Sequence, residues 1–312
     1  MTSGERGEEM IKRIKQIEHL QPECITCVLN KYITKYPEDI SKSEKIDFMQ
    51  GVMTLMANAE KSTAIPVIVR DIDKLRIKMF GASDDFTEIK KHFNSILMDQ
   101  LSSFRSKITE AEDPLMFAIQ LALAGNYIDF GALDHVDEEY LNHLILEAQT
   151  WALDEAAYLK LKQDLSKGRH LVYLTDNCGE IVMDRLLIEQ IKQLYPKITV
   201  FVIVRGKDTL NDATMDDADQ VGLTAMEEIA QVTGNGNDIM GTWLPEVSAE
   251  AMDIIRGADV LIAKGQANFE TLRKCGLNIY YLFLCKCDLY SSMFHVPRLS
   301  GMLIHEMDIR NI

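Results

Sequence analysis

His170-Leu171-Val172-Tyr173-Leu174-Thr175-Asp176-Asn177-Cys178-Gly179-Glu180 is an apolar run that stops on an acid, an amide and a glycine, and the amphipathic segment GEIVMDRLLIEQIKQLYP (179–196) follows at once. A short apolar run bounded in this way reads as a buried strand, and the longer segment, apolar at i, i+3, i+4 and i+7, as a helix. The pattern repeats downstream. ITVFVIVRG (198–206), ADVLIAKG (258–265) and LNIYYLFLC (277–285) read as three more strands. AMEEIAQV (225–232), VSAEAMDIIRGA (247–258) and NFETLRKCG (268–276) read as helices between them. Strands that alternate with helices pair in parallel, with helices on both faces and right-handed crossovers. Residues 166–312 are therefore expected to form an α/β domain, a doubly wound, mostly parallel sheet of Rossmann-like kind.

Upstream the texture is different. IKRIKQIEHL, KIDFMQGVMTLMANAEK, FTEIKKHFNSILMDQLSSFRSKI, PLMFAIQLALAGNYIDF and EEYLNHLILEAQTWALDEAAYLK all carry the helical period, and no β-like alternation intervenes. Asp113-Pro114 is a helix start and Gly125-Asn126 a helix stop, so residues 1–165 read as a helical domain of six or seven helices joined by short turns. Met49, Met53 and Met56 are spaced for a core face of one of them. No repeat or low-complexity linker separates the halves, so they are expected to pack directly on each other.

The chain has 312 residues, of which 47% are hydrophobic, enough to build a sizeable core without staples. Thirty-three Lys and Arg against 48 Asp and Glu leave a formal charge of -15, which disfavours nucleic acid and anionic membrane surfaces as partners. An anionic substrate would need local help from a metal ion, aimed amides or a lysine. The polar, acidic start and the lack of any apolar run near membrane length point to the cytoplasm. Six cysteines suit a reduced interior better than a disulfide scaffold. Cys24 and Cys27 have CxxC spacing and Cys285 and Cys287 CxC spacing. A structural zinc site is conceivable there, but a ribbon would show CxxC twice, and buried thiols are the simpler reading.

In open parallel sheets, ligands bind beyond the carboxyl ends of the strands. Those ends carry Asp176-Asn177-Cys178-Gly179-Glu180, then Arg205-Gly206-Lys207 with Asn211-Asp212-Ala213-Thr214, then Lys264-Gly265-Gln266-Ala267-Asn268-Phe269-Glu270, then Cys285-Lys286-Cys287-Asp288. Any one could be a helix cap. Four together point to a site. Asp176, Asn177 and Asp212 offer two carboxylates and an amide oxygen, a set suited to a hard divalent cation such as Mg²⁺ or Mn²⁺. Gly179 opens a helix whose free amides are an anion site, and Glu180, in its first turn, either serves the dipole or orients a metal-bound water. Lys286 is placed to meet a phosphate oxygen. Residues 234–242, GNGNDIMGT, form a glycine-spaced loop able to wrap a phosphate, though without the lysine of a Walker loop.

At these residues the sequence resembles the metal-dependent damage-control phosphatase family, formerly a domain of unknown function. Asp176-Asn177-Cys178-Gly179-Glu180, Asn211-Asp212-Ala213-Thr214, Lys264 to Glu270 and Lys286-Cys287 carry the likeness. Gly125-Asn126-Tyr127-Ile128-Asp129-Phe130 and the Cys24/Cys27 pair resemble the stand-alone prokaryotic branch in particular. The resemblance implies a helical bundle on an α/β/α sandwich and hydrolysis of phosphate monoesters with Mn²⁺, Co²⁺, Ni²⁺ or Mg²⁺. It implies Asp176, Asn177 and Asp212 as metal ligands, Asp176, Asp212 and Lys286 as the catalytic set, and Lys286 as a phosphate contact. Asn126, Asp129, Glu180 and the loop Gly265, Gln266, Ala267, Asn268, Phe269 and Glu270 are the expected substrate contacts. The expected substrate is a small phosphorylated metabolite, damaged or reactive, such as a sugar phosphate or a phosphopantetheine-like compound.

Water attack assisted by the metal is favoured over an aspartyl phosphate at Asp176, because haloacid-dehalogenase phosphatases place a second Asp two residues on and Cys178 stands there. Cys178 itself is not expected to be a nucleophile. Two other readings compete. Methyl transfer from S-adenosylmethionine to a carboxylate would want a glycine-rich turn after the first strand, and Asp176-Asn177-Cys178-Gly179 has one glycine only. A non-catalytic module that binds a metal and a phosphorylated ligand is the third.

Overall fold

The computed structural model describes residues 3–81, 85–133 and 136–311. Among these residues nine α-helices precede the first strand: α1 (Ser3–Ile14), α2 (Pro22–Tyr32), α3 (Lys42–Asn58), α4 (Ile65–Phe80), α5 (Thr87–Met98), α6 (Leu101–Glu110), α7 (Pro114–Gly125), α8 (Glu138–Glu147) and α9 (Glu155–Lys167). The rest alternates as β1 (His170–Leu174), α10 (Glu180–Leu194), β2 (Thr199–Val204), α11 (Met215–Gln220), β3 (Ala230–Gly234), α12 (Ala249–Arg256), β4 (Val260–Lys264), α13 (Gln266–Leu272), β5 (Ile279–Leu284), α14 (Asp288–Phe294) and β6 (Gly301–His305).

The six strands form one sheet in the order β3-β2-β1-β4-β5-β6, parallel throughout except for β6, which runs antiparallel to β5. Alternate residues of the central strands divide between two apolar clusters. Leu171, Tyr173, Val202 and Ile262 pack with residues of α5, α7, α9 and α10. Val172, Leu174, Ile203 and Leu261 pack with residues of α1, α12 and α13. A period of two that buries both faces requires helices on each, and each fully buried Leu or Ile contributes roughly 1.5–3 kcal/mol. The first cluster takes in residues from Phe93 to Leu165 as well as the sheet, so much of the helical half shares its core with the strands.

Helix α7 is the hinge pin of that union. Asp113 caps it, accepting from Met116 N at 3.1 Å, and Pro114 fits its first turn. Its residues from Phe117 to Gly125 are all buried, and it packs along α10. At Gly125 a Cβ would stand 3.2 Å from Glu180 Cα, so the missing side chain lets the two helices close and brings Asn126 to Glu180.

Four sequence expectations change. The long helical runs at 86–108 and 138–160 are each broken, at Asp99-Gln100 and by a turn of tight helix at Ala148–Thr150 followed by the cap Asp154, and α2 and α4 add to the count. The segment 225–232 is not a helix: 225–229 is turn and Ala230 begins β3. Only Ala230 of this edge strand is buried, so it shows no apolar alternation to read. Helix α11 and strand β6 were not legible as such, being short and polar or glycine-led. Among the described residues, no helix is long and apolar enough to cross a membrane.

Candidate active site

The strand order reverses between β1 and β4, and the loops that leave their carboxyl ends diverge there. Asp176 follows β1, Gly265 follows β4 and Lys286 follows β5. The Asp212 segment is strapped beside them. Asn177 and Asp212 form an antiparallel bridge, Ala213 N donates to Asp176 O at 2.8 Å, and Arg205 N donates to Ala213 O at 2.8 Å. Asn211, wholly buried, ties the same segment to the helical half: its Oδ1 accepts from Phe130 N at 3.0 Å and its Nδ2 donates to Ile128 O at 2.9 Å.

Four carboxylates meet here, and three have a cation each. Arg205 Nε donates to Asp212 Oδ2 at 2.6 Å. Lys286 Nζ donates to Asp129 Oδ2 at 2.6 Å, while Asp129 Oδ1 accepts from the amides of Gly131 and Ala132. Lys264 Nζ donates to Glu180. Asp176 accepts only from amides, Asn126 Nδ2 at 3.1 Å and Asn177 Nδ2 at 2.7 Å, with Arg205 Nη2 3.6 Å from its Oδ1. Burial, and after it repulsion from Glu180, Asp212 and Asp129, push the Asp176 carboxyl well above its ordinary range. Burial pushes Asp212 up to about 6 against the pull of Arg205. Asp129 goes the other way: burial opposes ionisation, yet Lys286 holds it below the usual carboxylate range.

The site thus carries buried negative charge that its own cations do not balance, and the imbalance falls on Asp176. Oxygen donors from Asp176, Asn177 and Asp212 fit a hard divalent cation. The set is two carboxylates and an amide; among the described residues no three His, Cys, Asp or Glu side chains are gathered as metal ligands, the four cysteines at 24, 27, 285 and 287 included. Those thiols are free, and Cys27 is exposed rather than buried. Burial pushes Cys24 up to about 12 and Cys287 to about 11. Cys178 is buried, with its thiol also pushed up by burial, which disfavours the thiolate a nucleophile would need.

The loop 265–270 is divided. Gly265 has φ +80°, and a Cβ on it would fall 1.8 Å from Asp176 Oδ2. Gln266 Oε1 accepts from Lys286 N at 3.1 Å, and its Nε2 donates to Glu270 Oε1 at 2.9 Å. Burial pushes Glu270 up to about 7. Of these, Gln266 meets Lys286, Gly265 meets Asp176, and Glu270 is tied to the site through Gln266. Ala267 offers only its carbonyl, to Thr271 Oγ1 at 2.8 Å. Asn268 Nδ2 is spent on Thr175 O and Lys264 O, and Phe269 stacks among Tyr281, Phe283, Tyr290 and Phe294 in the core. Neither of those last two side chains reaches the carboxylates.

Three more expectations need correction. Asn126 and Glu180 are fully buried and bonded to each other, Asn126 Oδ1 also accepting from Leu284 N at 2.9 Å, so they brace the site from behind rather than line it. The first amides of α10 are not free for an anion: Gly179 N donates to Asn94 Oδ1 at 2.6 Å, Glu180 N to Cys178 O and Ile181 N to Asn177 O. The 234–242 loop spends much of its polar capacity on its own fold: Asn235 Oδ1 accepts from Gly206 N and Asn237 N, and Asn237 Oδ1 from Ile239 N. Arg205, Lys264, Asn94 and Asn211 are the residues sequence reasoning did not assign. Asn211 and Lys264 stand in the motifs that carry the family likeness, and a charge closes an apolar strand at Val204-Arg205 and Ala263-Lys264. A cavity of about 710 Å³ lies beside the site, walled by Asp208, Thr209, Leu210 and Thr214 and by Lys90 and Arg70 of the helical half, but by none of Asp176, Asp212 and Lys286.

Residues 20–300 match the family described as the damage-control phosphatase ARMT1-like domain. The chain is 31% identical over 279 residues to the uncharacterized protein MJ0202 of Methanocaldococcus jannaschii, covering 86% of this chain and 89% of that one. It is 29% identical to a damage-control phosphatase of Archaeoglobus fulgidus, over 86% of this chain and 93% of the relative. The same identity, over 89% of this chain and 95% of the relative, holds for damage-control phosphatase PH1575 of Pyrococcus horikoshii. The crystal structure of PH1575, a DUF89 family protein, superposes with a TM-score of 0.71 at 27% identity, covering 92% of this chain and 99% of that one.

Proposed function

The chain belongs to the damage-control phosphatase ARMT1-like family, and from that premise we propose that it is a metal-dependent phosphatase acting on monoesters of small phosphorylated metabolites. The observation that supports this reading best is the charge pattern: Asp176, whose 3.6 Å ion pair is with an Arg205 already hydrogen-bonded to Asp212, stands beside Asp212 and Asn177, and the Lys286 ammonium borders the same site. Asp176, Asn177 and Asp212 would hold the cation. When bound, a hard divalent ion supplies the positive charge that draws phosphate oxygens in and makes nearby water a better nucleophile.

The chain's own residues do the rest. Lys286 meets the equatorial phosphoryl oxygens, where charge spreads in the transition state. Asp129 aims that ammonium and keeps it from folding back on Asp176. Gly265 leaves the face of Asp176 clear of any Cβ. Attack by water suits the site better than attack by Asp176, because the position two residues on is the buried thiol of Cys178, not an acid able to serve the leaving group. A formal charge of -15 favours small phosphates, which one lysine and one cation can hold, over extended polyanions.

The test is hydrolysis of p-nitrophenyl phosphate, then of a panel of sugar phosphates and phosphopantetheine compounds, with Mn²⁺, Co²⁺, Ni²⁺ or Mg²⁺. Activity is expected only with a cation, and Asp212→Ala should lower kcat about a thousandfold, the equivalent of roughly 4 kcal/mol of lost charge stabilisation. An undiminished rate in excess chelator overturns the proposal.

A further inference from the structure

We propose that Lys264 is a positioning residue for metal binding: through Glu180 it fixes the Asn177 side chain with its amide oxygen turned toward the cation. The inference rests on the reading of Asn177 as a ligand.

Lys264 ends β4 and is wholly buried, as are Glu180 and Asp184. Its ammonium has three protons, and three acceptors surround it: Ala122 O at 2.9 Å, Asp184 Oδ1 at 2.8 Å and Glu180 Oε1. Tyr173 OH donates to the same Asp184 oxygen at 2.7 Å. An ammonium with every proton committed does not rotate, so Glu180 Oε1 is held at one point. The other oxygen of that carboxylate then faces Asn177. Glu180 Oε2 accepts from Asn177 N at 3.2 Å and from Asn177 Nδ2 at 3.0 Å. Asn177 Nδ2 gives its second proton to Asp176 Oδ2 at 2.7 Å.

The edge of the Asn177 amide that lies between Asp176 Oδ2 and Glu180 Oε2 gives a proton to each, so that edge is its NH₂. The planar amide then carries Oδ1 on the opposite edge, away from both carboxylates. Nothing in Asn177 itself selects that face over its flip. Glu180 selects it together with Asp176; Asn126 Nδ2 donates to both Glu180 oxygens, at 3.0 and 2.9 Å, and Lys264 supplies the one cation paired with that carboxylate among the described residues, in an interior where an uncompensated charge would be costly. Such a partner behind a ligand tunes affinity by setting direction.

The experiment titrates metal-free protein with Mn²⁺ and follows the free ion by electron paramagnetic resonance, which needs no turnover. Lys264→Met keeps the length of the side chain and removes the ammonium. Glu180→Gln keeps the shape of the acid and lets an NH₂ face Asn177. Both are expected to weaken Mn²⁺ binding about 10- to 100-fold. Tyr173→Phe, which removes a bond on the far side of Asp184, is the control and should stay within about twofold. Wild-type affinity in either Lys264→Met or Glu180→Gln overturns the inference, and so does an equal loss in Tyr173→Phe, which would mark a general effect of loosening the buried network. If Lys264→Met does not fold, Glu180→Gln alone decides. Wild-type protein that binds no Mn²⁺ would instead overturn the metal reading on which this rests.

Discussion

Gly265 shows how little room one residue of this site has. Its φ of +80° and ψ of 156° lie where glycine alone is comfortable, and the position a Cβ would take is already filled by the Asp176 carboxylate. Alanine there would cost about 1–3 kcal/mol in backbone strain and, in addition, would have to push Asp176 aside. Asp176 is held by Asn126 and Asn177 and cannot yield without giving up both. Gly265→Ala is therefore expected to lose metal-dependent hydrolysis by about 100-fold or more while keeping its helical circular dichroism, since a displacement of about 1 Å at a reacting group costs about that much. A variant with kcat within threefold of wild type would show that Asp176 does not need its present position. The acids were legible one at a time, because a polar residue after an apolar strand is visible in a single sequence. Their cations were not. Which of Arg205, Lys264 and Lys286 meets which carboxylate depends on pairs separated by 7, 84 and 157 positions, and no local pattern carries that.

At the scale of elements, α5 joins the segment after α7 in fixing both acid-bearing loops to the helical half. Asn94 Nδ2 donates to Asp217 Oδ1 and to Gln220 Oε1, each at 2.9 Å, and its Oδ1 accepts from Gly179 N. One turn earlier on the helix, Lys90 pairs with Asp217 at 2.8 Å. Asp217 in turn accepts from Thr214 N, two residues beyond Asp212. Asn94→Ala would leave a buried amide and a buried carboxylate oxygen short of a partner, so it should lower stability in urea unfolding by about 2–3 kcal/mol. Activity should fall as well, because Gly179 and Thr214 anchor the two loops; a variant that loses stability with kcat unchanged would show that α5 supports the fold but not the site. The same contact explains a limit of the sequence. The long periodic helices and four strands with strong apolar runs stand out, because burial on one stripe or both faces leaves a period to read. Segment 225–232 reads wrongly as a helix for the opposite reason: β3 is an edge strand whose stability comes from pairing with β2, and its exposed residues follow no period. That α5 serves the site is equally invisible, since Asn94 looks like any polar residue on a helix.

For the molecule as a whole, the buried acids set how stability answers to pH. Burial pushes Asp184 and Glu270 up to about 7 and Asp212 up to about 6, and carries Asp176 well above its ordinary value. In the unfolded chain all four titrate near 4. Between pH 4 and about 7 the folded protein therefore holds protons that the unfolded chain has released, so these groups make stability fall as pH rises through that window and a little beyond. His19 acts in reverse. Burial lowers it to about 4, so below pH 6.5 the unfolded chain gains a proton the fold refuses, and stability falls as pH drops. Above pH 6.5 only the acids remain, and the metal-free protein is expected to melt at progressively lower temperature from pH 6.5 to 8. A divalent cation reverses the sense of this charge, because it binds the ionised form of Asp176 and Asp212. At a Mn²⁺ concentration about 100 times its Kd the gain is roughly 2.7 kcal/mol, or about 5 °C in Tm, and it should be larger at pH 8 than at pH 6, where protons compete for the same oxygens. Thermal shift in matched buffers, with and without Mn²⁺, reads both slopes; a cation effect that is equal at the two pH values would mean the ion binds somewhere other than at these carboxylates.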